Sequence, residues 1–304
     1  MKQRPSFPAR LVPLADQFAG QPGPPGTAAG PRGVALAERG SAVPRGMAHG
    51  VEHMPGNSVG HQVGNPVGNR VGNPGGNFGS HSGSQRHGMD SSAVRMNLVK
   101  KLAALGVRDP QVLQAMGSVE RHRFIDSALV NQAYEDTSLP IGLGQTISKP
   151  GVVARMAELL RNGAPGKLGR VLEIGTGCGY QAAVLSFLAA EVYSMERLRG
   201  LHDKSRDNLR HLRLSNVHLL FGDGMAGYAK GAPYAAIIAA AGGEAVPQAW
   251  VDQLAVGGRL VAPVVPAGGV KGQQALMVID KTAAGVVQTI LEAVHFVPLK
   301  SGVA

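Results

Sequence analysis

The sequence predicts an α/β protein built on a doubly wound, mostly parallel sheet, and three observations predict it. Residues 171–174 read as a short buried strand, followed by alternating glycines at 175, 177 and 179 and then by residues 181–190, where Ala182, Val184, Leu185 and Leu188 give helical character. A strand, a glycine-rich turn and a helix hold a nucleoside-containing ligand at the carboxyl edge of such a sheet, and glycine lets the turn tighten and backbone N–H groups approach the ligand. Two further strands follow: residues 191–196, ending in the acid Glu196, and Val217–Phe221, ending at Gly222-Asp223-Gly224. An acid at the end of the second strand can accept hydrogen bonds from both ribose hydroxyls. Strand and helix patterns then alternate to the C-terminal part of the chain, the signature of a parallel sheet. The spacing G-x-G-x-G is not the dinucleotide fingerprint, which weakens a nicotinamide dehydrogenase reading.

The elements follow in order. Residues 1–89 are dominated by Gly, Pro, Ser, Asn and His and carry a four-residue near-repeat from Val59, so a disordered extension is expected, with a single folded domain over 90–304. Five histidines there (His49, His53, His61, His81, His87) are irregularly spaced and lack an acid or thiol cluster, so no metal site is expected. Asp90-Ser91-Ser92 caps a helix with Val94, Leu98, Leu102 and Leu105 on one side, and Gly106 ends it. Asp109-Pro110 starts a second helix carrying Val112, Leu113 and Met116, and Phe124 and Ile125 pack on the sheet.

Residues 134–150 read as a long irregular loop, of the kind that carries function beside a ligand domain; its Ser148 could equally serve only as the cap of the helix after Pro150. A fourth strand over 235–241, a helix opened by Val246-Pro247, a turn at Val256-Gly257-Gly258 and a fifth strand over 259–264 come next. Two late strands, 274–280 and 285–296, pair as a hairpin, with an antiparallel strand expected at the sheet edge.

Composition bounds the partners. The 304 residues carry a formal charge of +10, but there is no dense Arg/Lys run with interleaved aromatics, so the cations read as solvated surface and no specific nucleic acid is expected. One cysteine, Cys178, excludes an intrachain disulfide and a multi-cysteine metal site and suits a reducing, cytoplasmic setting. It reads as a small residue in a tight loop. Trp250 reads as a packed or partly exposed helix residue. No run of eighteen apolar residues occurs, and residues 11–16 are too short and interrupted for a signal segment, so no membrane partner is expected. No separate interface element is readable, and a monomer is the default.

From about residue 95 onward the chain resembles the protein-L-isoaspartate O-methyltransferase family. The most specific piece is Ala133-Tyr134-Glu135-Asp136 through Leu139-Pro140-Ile141-Gly142 to Gly144-Gln145-Thr146-Ile147-Ser148; Glu173-Ile174-Gly175-Thr176-Gly177, Gly222-Asp223-Gly224, Gly257-Gly258-Arg259-Leu260-Val261 and Phe296-Val297-Pro298-Leu299 also fit. The resemblance implies a seven-stranded S-adenosylmethionine-dependent methyltransferase fold. It implies methyl transfer from S-adenosyl-L-methionine to the carboxylate of L-isoaspartyl residues in damaged proteins and peptides, with repair continuing through a succinimide.

Carried over by matching position, Ser148 is the active-site serine, supported by Thr146 and Gln145. Glu173, Gly175, Gly177, Gly179, Asp223 and Gly224 fall on the donor side, with Glu196 as the ribose acid and Asp223 at the adenine edge. Glu120, Gly151, Ala235 and Cys178 depart from the usual pattern. The resemblance explains why no paired-carboxylate or Ser–His–Asp spacing is present: the acceptor is already ionised at neutral pH and the donor carries its own leaving group. It also explains the glycine spacing, since this donor has no pyrophosphate. The shared donor motifs alone would also allow a methyltransferase with another acceptor, or an inactive methyltransferase-like binding module tethered by its basic extension.

Overall fold

The structure is a computed structural model and describes residues 92–268 and 272–304; the expected N-terminal extension over 1–89 lies outside the described residues. Two helices, α1 (Ser92–Ala104) and α2 (Pro110–Ser118), precede a small hairpin of β1 (Leu139–Gly142) and β2 (Gln145–Ile147). The chain then runs α3 (Pro150–Arg161), β3 (Leu168–Ile174), α4 (Tyr180–Leu188), β4 (Ala189–Glu196), α5 (Arg199–Leu209), β5 (Val217–Phe221), β6 (Tyr234–Ala239), α6 (Gln248–Gln253), β7 (Leu254–Val264), β8 (Gln274–Thr282) and β9 (Gly285–Val294). Seven of these strands form one sheet in the order β5-β4-β3-β6-β7-β8-β9. The pairs from β5 to β7 are parallel and those of β7–β8 and β8–β9 antiparallel. The reversed strand β8 is therefore one place in from the edge, and edge strand β9 runs with the parallel set.

Local chemistry sets the helix starts. Asp109 caps α2 by accepting from the Gln111 and Val112 amides, and Pro110 opens the helix without needing a donor. The Asp109 carboxylate also receives Arg161 Nε from the end of α3 at 2.7 Å, a pair almost wholly out of water that fastens α3 to α2. Gly106, at φ +102°, ends the α1 region. Leu98 and Leu102 are buried as expected, but Leu105 is 62% exposed, because the helix ends at Ala104 and the turn carries Leu105 away from the core. On the following helix, α4 is apolar on nearly every face: it lies between the sheet and the layer formed by α1 and α2, so its hydrophobic pattern shows no polar stripe.

Several boundaries differ from the sequence reading, and three of them bear on how the site is built. Helix α4 stops at Leu188 rather than 190, because Ala189 pairs in register with Leu168 and starts β4. The segment 134–150 is not a wholly irregular loop: Leu139 pairs with Ile147 and Pro140 with Thr146, around a turn with Gly142, Leu143 and Gly144 all at positive φ. Strand β7 begins at Leu254, so Val256-Gly257-Gly258 is a bulge within it. Tyr234 pairs with Leu254 and Ala236 with Arg259, and a Cβ on Gly258 would meet the carbonyls of Ala255 and Ala235 at 2.9 and 3.0 Å. Among the described residues, no helix is long and apolar enough to cross a membrane.

Trp250 is fully buried on α6 and its Nε1 donates to the Gly224 carbonyl at 2.7 Å, fixing the turn after β5. Trp250→Phe keeps most of the volume and leaves that buried carbonyl with only its bond from the Gly227 amide, at 3.1 Å. A loss of about 0.5–1.5 kcal/mol in urea-unfolding stability is expected; an unchanged unfolding midpoint would show that the bond carries no stability.

Candidate active site

The carboxyl ends of the parallel strands converge on a cavity of about 220 Å³, whose wall includes Gly175, Gly177, Glu196, Gly224, Ala240 and Ser148. Its floor is the turn after β3. Gly175, Gly177 and Gly179 sit at φ +89°, +57° and +92°, which L side chains rarely adopt. Four amides of this turn are engaged within the protein. Gly175 and Thr176 donate to the Met195 carbonyl at 2.8 and 3.2 Å, Gly179 to the Thr176 carbonyl at 2.9 Å, and Gly177 to Glu196 Oε2 at 2.8 Å. The glycines serve the shape of the turn and the absence of side chains over the cavity.

Glu196 is the hub of this arrangement. It is 5% exposed, and its second oxygen, Oε1, accepts from the Arg197 and Leu198 amides, each at 2.9 Å. Glu196 lines the cavity and Oε2 keeps lone-pair capacity beyond its bond to Gly177, so the carboxylate can accept from a ligand hydroxyl.

Beneath the turn lies a second carboxyl group. Glu173 is fully buried, accepts a short hydrogen bond from the Ser194 hydroxyl, and Ser194 in turn bonds Thr176 Oγ1 at 2.7 Å. Burial pushes the Glu173 carboxyl up to about 8, and the nearby Glu196 charge adds to this, against the opposing effect of its hydrogen bonds. Glu173 is therefore mostly neutral at pH 7, and it lies under the donor-side wall instead of on it.

Asp223 and Gly179 are not among the residues that line this cavity. Asp223 Oδ1 accepts from the Met225 amide at 2.9 Å and Oδ2 from the Gly302 amide at 2.7 Å, so it organises the turn after β5 and the C-terminal segment. Cys178 is buried and its thiol is pushed up to about 11 by desolvation, so it is no thiolate at neutral pH.

On the opposite side of the cavity the β1–β2 hairpin brings in Gln145, Thr146 and Ser148. Helix α3 is preceded by Lys149 at its N-cap position without a side-chain cap, so capping does not account for Ser148. Its carbonyl accepts from Arg121 Nη2 at 2.7 Å, while its hydroxyl bonds no other described residue. The sequence reading gave Arg121 no role. It is completely buried, donates from Nε to the Ala133 carbonyl at 2.9 Å and lies 4.7 Å over the ring of Tyr180. One guanidinium thus ties the serine segment to the first residue of α4, and burial draws its pKa down from the usual value. Gly151, a departure from the family pattern, leaves room for Asp136: a Cβ there would lie 2.9 Å from Asp136 Oδ1, which accepts from the Gly151 amide at 2.7 Å.

A second cavity, of about 370 Å³, lies beyond Ser148. Thr146, Ser148, Ala240 and Val297 belong to the walls of both cavities. Two ligands, one in each, would meet at this shared wall.

A seven-stranded sheet with this glycine turn and acid at its carboxyl edge defines the class as the S-adenosylmethionine-dependent methyltransferase fold. Residues 93–304 match the family described as Protein-L-isoaspartate(D-aspartate) O-methyltransferase. The chain is 60% identical over 218 residues to a protein-L-isoaspartate O-methyltransferase of Leptothrix cholodnii, covering 71% of this chain and 76% of that one. It is 60% identical over 217 residues to one of Methylibium petroleiphilum, covering 71% and 80%. Among solved structures, a protein-L-isoaspartate O-methyltransferase at 28% identity superposes with a TM-score of 0.61 over 68% of this chain and 66% of that one. A Plasmodium falciparum protein described as such an enzyme, in complex with S-adenosyl-L-homocysteine, gives 25% identity and a TM-score of 0.57 over 68% and 98%. The chain belongs to the protein-L-isoaspartate O-methyltransferase family.

The buried acid makes a prediction about pH. Its folded pKa lies above the ordinary value of 4.5, so the unfolded state ionises first and the folded state loses stability as pH rises from about 4.5 to about 8, then levels off. Glu173→Gln removes this dependence. The variant should gain on the parent progressively between pH 5 and 8 in urea unfolding; a gap that does not move with pH would show that Glu173 is ionised in the folded state.

Proposed function

We propose that this chain transfers the methyl group of S-adenosyl-L-methionine to the free carboxylate of L-isoaspartyl residues in proteins and peptides, which starts their repair through a succinimide. The observation that carries the reading is the position of Ser148: its hydroxyl stands without a described partner on the wall shared by two cavities, one of them lined by the glycine turn and Glu196. The family's relatives support the acceptor class, and the complex of the Plasmodium falciparum protein supports the donor class.

The residues present suit that donor. Glu196 Oε2 would accept from the ribose, the side-chain-free faces of Gly175 and Gly177 admit close packing, and Gly224 lines the same wall. When bound, the donor supplies an electrophilic methyl group on a sulfonium. Ser148 donates a hydrogen bond to one oxygen of the acceptor carboxylate and orients the other for attack, with Thr146 and Gln145 beside it. No general base is required, because the acceptor is ionised at neutral pH. Catalysis is then mostly alignment, worth on the order of 7–11 kcal/mol in good cases. Glu173, Gly179 and Asp223 act from behind the wall, by holding the two turns that shape it. We assign the chain to the cytoplasm as a monomer on its single buried cysteine and the absence of a readable interface element.

Transfer of labelled methyl to peptide pairs differing only in L-isoaspartyl versus L-aspartyl tests the reading: label is expected in the isoaspartyl member alone, and equal labelling or none in both would refute it. Ser148→Ala should lower turnover roughly 10- to 100-fold, the worth of a hydrogen bond to a charged group, with donor affinity little changed. Glu196→Ala should instead weaken donor binding by at least about tenfold; donor affinity equal to the parent's would contradict its assignment to the ribose.

A further inference from the structure

The second cavity does not end the groove. Lys149, Val152, Ala293 and Val294 are shared between it and a third cavity of about 680 Å³, which lies between α3, the end of β9 and the turn after α1. From the donor cavity the walls therefore run through Ser148 to Lys149 and on to a rim that includes Leu105 and Arg108. An acceptor polypeptide with its isoaspartyl carboxylate at Ser148 has neighbouring residues to place, and this is the continuous concave surface adjoining that point.

Its three cations and three acids balance formally, but they are unevenly paired. Three acids line the third cavity, and each is engaged. Asp136 accepts from the Gly151 amide. Glu158 accepts from the Arg108 and Asp109 amides at 2.6 and 2.9 Å and pairs with Arg155 at 3.2 Å. Glu292 pairs with Arg155 at 2.8 Å. Of the three cations, Arg155 is consumed by those two acids, whereas the exposed Lys149 ammonium and Arg108 guanidinium pair with no described residue. Two cations without an ion-pair partner among the described residues thus face a cavity whose three acids are held by backbone amides or by Arg155. The exposed Leu105 adds an apolar contact at the same rim.

Resting on the isoaspartyl reading above, we propose that this third cavity is an acceptor subsite and that Lys149, with Arg108, selects acceptors carrying an acidic side chain within a few residues of the isoaspartyl. Lys149 is adjacent in sequence to Ser148, so a carboxylate held there lies close along the acceptor chain to the group being methylated. The contribution is that of an exposed ion pair, which sets the expected discrimination at about two- to fivefold and makes it sensitive to salt.

The test is kcat/KM for a set of L-isoaspartyl peptides that differ only by Glu or Gln, scanned over three positions on each side, with the parent chain, Lys149→Gln and Lys149→Glu. At one or more positions the parent should prefer Glu about two- to fivefold, mainly through KM. The preference ratio should vanish in Lys149→Gln and invert in Lys149→Glu, and it should shrink as salt is raised. A parent that methylates the Glu and Gln members equally at every position refutes the subsite and leaves the isoaspartyl reading standing. Retention of the full preference in Lys149→Glu refutes it as well. A parent that methylates no member of the set refutes the isoaspartyl reading itself.

Discussion

The donor side of the molecule depends on one carboxylate. Glu196 closes β4, and its two oxygens take the amides of Gly177, Arg197 and Leu198. The turn after β3 and the start of α5 are therefore referred to the same side chain. Turns that leave their amides buried and unpaired lose stability, and each charge-assisted bond to an amide is stronger than a neutral one. The three glycines accept unusual φ values because this anchor, the Met195 carbonyl and the Thr176 carbonyl together define where their amides point. The neutral Glu173 below, joined through Ser194 to Thr176, keeps a second negative charge from accumulating next to Glu196.

The acceptor side has a different anchor and the two meet in α4. Arg121 is buried without a carboxylate partner among the described residues and donates from Nε and Nη2 to the carbonyls of Ala133 and Ser148 while lying over Tyr180. Tyr180 is the first residue of the helix that the glycine turn launches. A serine carried on a hairpin is thereby fixed relative to the donor turn by packing and two hydrogen bonds to backbone. This arrangement suits the proposed mechanism of alignment: among the described residues lining the site no activated nucleophile appears, and Cys178, the single thiol, is buried and protonated.

Much of this was legible in the sequence. Local pattern sufficed for β5, whose five residues match the expected span, and for α2, whose Asp109 and Pro110 act as cap and first turn. Ser148, Thr146 and Gln145 were reached through a family resemblance, since a hydroxyl in a loop has no spacing of its own. What was missed depends on three-dimensional neighbours. The pairing of Ala189 with Leu168 overrode helical propensity, and a bulge hid the true start of β7 because two adjacent glycines read as a turn. Arg121 gave no signal, since an arginine in a short polar segment reads as surface until the carbonyls it serves are known. Trp250 was likewise open between packing and exposure until Gly224 supplied its partner.

The central claim is that donor and acceptor meet at the Ser148 hydroxyl. A crystal structure of this chain with S-adenosyl-L-homocysteine and an L-isoaspartyl peptide tests it most directly. The account predicts the ribose hydroxyls against Glu196, the peptide in the cavity beyond Ser148, and the isoaspartyl carboxylate within hydrogen-bonding distance of Ser148 Oγ. A peptide bound elsewhere, or a carboxylate held by other groups with Ser148 turned away, would contradict it.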